Sequence, residues 1–116
     1  MSDETTTVAA LKAVARRFAA ERNWDPYHSP KNLVMALACE AGELVEPFRW
    51  LTEEQSRSIV YADPVARNAI AEEMADVFSL LLQVSIQTGI DLSDALRAKT
   101  LKNAVKYPVP ERGTQS

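Results

Sequence analysis

The segment from Asp63 to Gly89 reads DPVARNAIAEEMADVFSLLLQVSIQTG, and it decides the fold. Its apolar residues recur at three- and four-residue steps, with none of the strict alternation of a half-buried strand. Asp63 suits a helix N-cap with Pro64 at the first helical position, and Gly89 is a natural stop. The segment therefore predicts one long helix, from Pro64 to Thr88. At about 100° per residue, Ala66, Ile70, Val77, Leu80 and Val84 share one apolar stripe, and Glu73 falls in the middle of it. Asp76 lies one turn further on the same side. Its neighbour Glu72 groups instead with Ser79 and Gln83 on a polar side, and Phe78 and Leu82 make a second apolar face.

The segment before it repeats the pattern. Ser29 suits an N-cap with Pro30 at the first position of a helix expected to reach about Leu51. Leu33, Leu37, Leu44, Phe48 and Leu51 share a stripe, with Glu40 on its border and Glu43 one turn on. Glu46 turns toward solvent. Pro47 has no N–H and its ring crowds the Glu43 carbonyl, so a kink is expected there. Thr52 caps a short turn holding Glu53 and Glu54. Upstream, Val8, Leu11, Val14 and Phe18 mark a helix from about Thr5 to Arg22, which the Asn23–Pro30 stretch with its two prolines breaks. Downstream, a helix begins near Leu92 or Ser93 and runs to about Lys106, before Pro108 and Pro110. Four helices with short connections predict an all-α fold, an antiparallel four-helix bundle.

Composition agrees. A chain of 116 residues fits one domain spanning 1–116, with 5–108 expected to be ordered and the tail 109–116 frayed. Hydrophobic residues make up 47% of the chain, enough for a core and too many for wholesale disorder. Thirteen Lys and Arg against sixteen Asp and Glu give a net charge of -3, which argues against coating a nucleic-acid polymer. A nucleotide is still open to it, since a metal supplies positive charge locally. The single Cys39 excludes an intrachain disulfide and a cysteine zinc cluster. With no signal-like N-terminus and no long apolar run, the expectation is a cytoplasmic protein with no membrane partner.

The chemistry lies in the misplaced acids. Two helices each aim an acidic pair inward, Glu40 with Glu43 and Glu73 with Asp76, and neither stripe carries a Lys or Arg. A buried carboxylate is costly unless paired, protonated or bound to a metal, and four converging acids repel one another. Hard divalent ions relieve this, and Mg²⁺, with Mn²⁺ second, suits an all-carboxylate set. A di-iron bundle would add Glu-x-x-His pairs, whereas the only histidine, His28, sits in a loop.

The run Glu40-Ala41-Gly42-Glu43-Leu44-Val45-Glu46, followed by Phe48-Arg49-Trp50 and by Glu72-Glu73-Met74-Ala75-Asp76-Val77, resembles the MazG-like all-α nucleoside triphosphate pyrophosphatases. It is most similar to their small dCTP-hydrolysing branch. Ala20-Glu21-Arg22-Asn23-Trp24, His28 to Leu33, and Lys99 to Pro108 extend the resemblance over most of the chain. The resemblance implies Mg²⁺-dependent hydrolysis of a nucleoside triphosphate, dCTP or a modified dCTP above all, to the monophosphate and pyrophosphate. It assigns Mg²⁺ to Glu40, Glu43, Glu73 and Asp76, with Glu43 and Glu40 as the catalytic acids. It implies a nucleotide pocket drawing on Trp24, His28, Trp50, Lys99, Asn103 and Tyr107, and a homotetramer or, second, a homodimer. Lys99, Asn103 and Lys106 lie within about 60° on the last helix, a stripe that suits phosphates. Leu80 departs from the pattern, standing where the animal dCTP enzymes have a tyrosine. Two other readings stay open on the residues alone: a relative preferring dUTP or mixed triphosphates, and a non-catalytic helical adaptor.

Overall fold

A computed structural model describes residues 1–111 of the chain. The described residues are helical without strands. Five α-helices follow one another: α1 Val8–Glu21, α2 Pro30–Val45, α3 Glu53–Ala62, α4 Pro64–Thr88 and α5 Leu92–Lys106, with a single 3₁₀ turn at Asp25–Tyr27. The all-α expectation stands, but five helices replace the predicted four. Of the segment expected to fray, 112–116 lie outside the described residues.

The helix starts are set by side chains that satisfy the orphan N–H groups of a first turn. Ser29 accepts from the Asn32 amide at 3.1 Å. Asp63 accepts from Val65 and Ala66 at 3.0 and 3.2 Å, and Asp91 accepts from Asp94 at 2.8 Å. Gly89 ends α4 in the left-handed region, with φ of 70°, where glycine carries no Cβ penalty.

Two expectations about the middle of the chain are corrected. α2 does not kink and continue to Leu51; it stops at Val45, two residues before Pro47. Pro47 removes an N–H and crowds the turn before it. The chain then proceeds through separate turns, with Phe48 and Arg49 amides on the Val45 carbonyl and Leu51 on Phe48. The supposed short turn after Thr52 is the ten-residue helix α3. Its start is a reciprocal capping box: the Gln55 amide donates to Thr52 Oγ1 at 3.1 Å, and the Thr52 amide donates to Gln55 Oε1 at 3.0 Å. Glu53 and Glu54 in the first turn favour the positive end of the helix.

Packing radiates from α4, which meets α2 most extensively and also α1 and α3. α5 lies outside this group, with Leu96, Leu101 and Val105 at 67–84% exposure. The buried apolar residues are few: Ala15, Ala19, Leu33, Ile70 and Leu82. In α1 the large residues Val14 and Phe18, expected inside, are about half exposed, and the alanines one position on from each are the ones sealed. Small side chains let α1 approach α4 closely enough for Gln83 Nε2 to donate to the Ala15 carbonyl at 2.8 Å. Gln83 is therefore buried, not on a solvated polar side, and Leu82 is buried within the chain.

Candidate active site

The tightest α2–α4 seam carries the acids. Glu40 lies three turns into α2 and Glu73 near the middle of α4, each amid the residues that seal the two helices, and both are half-buried. Glu40, Glu73 and Asp76 each offer one carboxylate oxygen, and all three oxygens lie within 4.8 Å of one another. Glu43, which is exposed, approaches both Glu40 and Glu73 closely enough to share a hydrogen bond with either when one of the pair carries a proton. The helical spacing places i and i+3 residues on one face, so the two acidic pairs meet at the seam, but Glu43 and Asp76, both expected to point inward, are exposed and only Glu40 and Glu73 are half-buried.

Burial, then the negative charges of Glu43 and Asp76, push the Glu40 carboxyl above its ordinary 4.5. Burial followed by the same two neighbours does so for Glu73. Among the described residues no ion pair neutralises any of the four: the short cation contacts join Arg17 to Glu21, Arg22 to Glu21, Arg49 to Glu46 and Arg57 to Glu53. Glu40 Oε2 and Glu73 Oε2 are sealed from solvent and have no hydrogen-bond partner. Buried acceptors of that kind normally find a partner. An all-oxygen donor set with two orphaned oxygens fits a hard divalent cation. By contrast Glu72 and Glu46, which the periodicity sent outward, are exposed and bonded locally to Asn68 and Arg49.

The remaining predicted residues fall into three places. Trp24 and His28 come together where the chain leaves α1, with ring centroids 6.2 Å apart, and His28 Nδ1 is buried without a partner. Trp50 is 83% exposed beyond the end of α2, with the Arg49 guanidinium 4.8 Å from its ring centre. Lys99, Asn103 and Tyr107 ride on α5; Asn103 is half-buried, its carbonyl accepts from the Tyr107 amide at 2.7 Å, and Lys106 lies over the Tyr107 ring. Among the described residues α5 makes no extensive contact with α2 or α4, the helices that carry the acids. Sequence reasoning missed Phe18 as a neighbour of Trp24, with centroids 5.5 Å apart; the signal was an aromatic residue one turn before a helix stop.

Known proteins resemble the chain in sequence and in fold. Over 103 residues, 89% of this chain, the sequence is 35% identical to dCTP pyrophosphatase 1 of Bos taurus and of Mus musculus; the Homo sapiens protein of that name is 35% identical over 102 residues. The fold matches the crystal structure of a pyrophosphatase from Archaeoglobus fulgidus with a TM-score of 0.82 and 29% identity, over 94% of this chain and 99% of that one. In sequence and in fold the chain is similar to these pyrophosphatases. It spans about three fifths of the length of the mammalian relatives it matches, 60% for the Bos taurus protein. No family model matches the sequence. α2 stops short of Pro47, and Leu80 is half-buried one turn after Asp76. Among the described residues no helix is long and apolar enough to cross a membrane.

Proposed function

We propose that this chain is a divalent-metal-dependent nucleoside triphosphate pyrophosphohydrolase that converts dCTP, or a modified dCTP, to the monophosphate and pyrophosphate in the cytoplasmic nucleotide pool. The observation that carries the reading is the pair of sealed, partnerless carboxylate oxygens of Glu40 and Glu73, in a chain 35% identical to dCTP pyrophosphatases. Glu40, Glu73 and Asp76 would hold the ion, with Glu43 completing the acidic set, and Mg²⁺ or Mn²⁺ suits its hard oxygens. When bound, such an ion neutralises the polyphosphate and makes a water more acidic. Glu43, the exposed member beside Glu40 and Glu73, would accept through a carboxylate oxygen the proton of the water that attacks the α-phosphorus. The new bond joins water oxygen to that phosphorus, the α–β anhydride bond breaks, and pyrophosphate leaves with the electron pair. Trp24 and Trp50 present faces on which a base can stack, His28 offers a ring nitrogen to a base edge, and Lys99, Asn103 and Tyr107 offer donors to phosphates.

The protein is further proposed to act as a homo-oligomer, a tetramer before a dimer. A folded monomer of 12.9 kDa exposes about 6,300 Å², whereas this chain exposes 9369 Å². Its radius of gyration is 17.7 Å, against about 13 Å for a compact chain of this length. The excess surface matches what an obligate interface covers. Met74, Phe78 and Leu81, which share one face of α4, are 57%, 43% and 40% exposed. In such an assembly, α5 of one copy is free to complete the site of another.

A panel of deoxy- and ribonucleoside triphosphates with Mg²⁺, its products separated by ion-exchange chromatography, tests the reading. Monophosphate and pyrophosphate from dCTP are expected. Preference for dUTP or mixed triphosphates would move the substrate assignment, and no turnover on any, with no Mg²⁺ binding, would leave a helical adaptor.

A further inference from the structure

The exit of α1 is built around one unusual residue. Asn23 is the only non-glycine of the described residues with a positive φ, 56°. Its amide donates to the Ala20 carbonyl at 3.1 Å and the Trp24 amide donates to Ala19 at 3.0 Å. These are the two bonds of a helix stop that needs a left-handed residue just past the cap, a conformation asparagine tolerates and β-branched residues resist. The turn folds Trp24 back over the last turn of α1, edge to face with Phe18 at 5.5 Å and 70°. Phe18 is itself clamped: the Arg22 guanidinium lies 3.6 Å from its ring centre, and Arg22 Nη1 donates to the Phe18 carbonyl at 3.1 Å. Trp24 also meets His28 at 6.2 Å and 61°. Although in contact with both rings, Trp24 remains 44% exposed. Were the contact only a seal on the helix end, burying the indole more fully would serve better; instead its orientation is fixed while part of its surface stays available. A platform ordered before its ligand arrives binds without the cost of ordering it then.

We propose that Asn23 and Phe18 are positioning residues for the nucleotide base: the left-handed turn at Asn23 and the Arg22-clamped ring of Phe18 fix Trp24 in the orientation on which the base stacks. This rests on the reading of Trp24 as a base-binding residue under the proposed function. The test is steady-state hydrolysis of dCTP with saturating Mg²⁺ by the full chain and four variants, each first checked for folding by circular dichroism. Trp24→Ala is expected to raise KM by about fivefold or more, the lower end of what base–aromatic stacking contributes, with little change in kcat. Asn23→Val, which resists the left-handed turn, is expected to raise KM in the same way, and Asn23→Gly, which adopts it freely, to keep the wild-type KM. A merely structural role would lower stability without this split between KM and kcat and without rescue by glycine. An unchanged KM in folded Asn23→Val, beside a raised KM in Trp24→Ala, overturns the positioning role alone. An unchanged KM in Trp24→Ala overturns the base-binding reading and the positioning role with it. If Asn23→Val does not fold, Phe18→Leu decides, since it removes the ring contact and leaves the turn intact: a raised KM upholds the proposal and an unchanged one overturns it.

Discussion

Glu72 and Glu73 are adjacent in sequence and opposite in consequence. Glu72 is exposed beside Asn68, while Glu73 faces the α2–α4 seam with one oxygen sealed and unpartnered. Glu73→Gln is therefore expected to lower Mg²⁺-dependent kcat/KM by at least about a hundredfold, since a metal contributes several kcal/mol of charge stabilisation. Glu72→Gln should leave turnover within about twofold, because surface changes of this kind perturb little. The same geometry sets a pH dependence. Burial and acidic neighbours raise the Glu40 and Glu73 carboxyls above the ordinary 4.5. Each then holds its proton more tightly folded than unfolded, so ionisation costs stability as pH rises through the raised value, and the cost vanishes below 4.5, where both states are protonated. Metal-free Glu73→Gln should accordingly melt above wild type near neutral pH. The gap should close as pH falls toward 4.5, and the stabilisation by added Mg²⁺ should shrink over the same window because protons and metal compete for the same oxygens. Thermal melts of both proteins, with and without Mg²⁺, at a series of pH values check the sign. A gap that widens on acidification would reject it.

At the scale of the element, α4 is the axis on which α1, α2 and α3 pack, so its start matters more than that of a peripheral helix. Asp63 satisfies two first-turn amides there. Asp63→Ala is expected to cost about 0.5–2 kcal/mol, measured by urea unfolding, with kcat of the folded protein unchanged because the acids sit more than two turns away along the helix. The caps at Ser29, Asp63 and Gly89 were legible because a cap is a local contract between a side chain and the next few amides. α3 was less so. Its capping box, Thr52 with Gln55, was present in the sequence, but a ten-residue helix with six polar or charged positions offers little periodicity. Pro47 correctly marked a disturbance in α2, yet whether a helix kinks or ends at a proline depends on what packs beyond it, and beyond Val45 the chain turns away to begin α3.

The whole molecule is elongated, 55 × 38 × 30 Å, and its few buried apolar residues make a thin core for so long a chain. Light scattering should give a mass that is a multiple of 12.9 kDa, and the melting temperature should fall on dilution, as it does for any assembly that folds together. Phe78→Glu puts a charge on the exposed apolar face of α4 and is expected to yield a monomer with much reduced turnover. A wild-type monomer at working concentration would contradict the assembly.

From its residues alone the chain determined an all-helical fold, the starts of its long helices, the stop of α4 at Gly89, and the inward placement of Glu40 and Glu73, because each of these depends on neighbours a few positions away. Tertiary structure decided the rest. It chose Ala15 and Ala19 over Val14 and Phe18 as the buried face of α1, since close approach to α4 rewards small residues as much as apolar ones. It buried Gln83, whose amide found the Ala15 carbonyl sixty-eight residues away. It also left Glu40 and Glu73 each with an oxygen that nothing among the described residues satisfies. Periodicity ranks side chains by their affinity for water, but which neighbour meets them, and whether it brings a partner, is fixed only when separate helices come together.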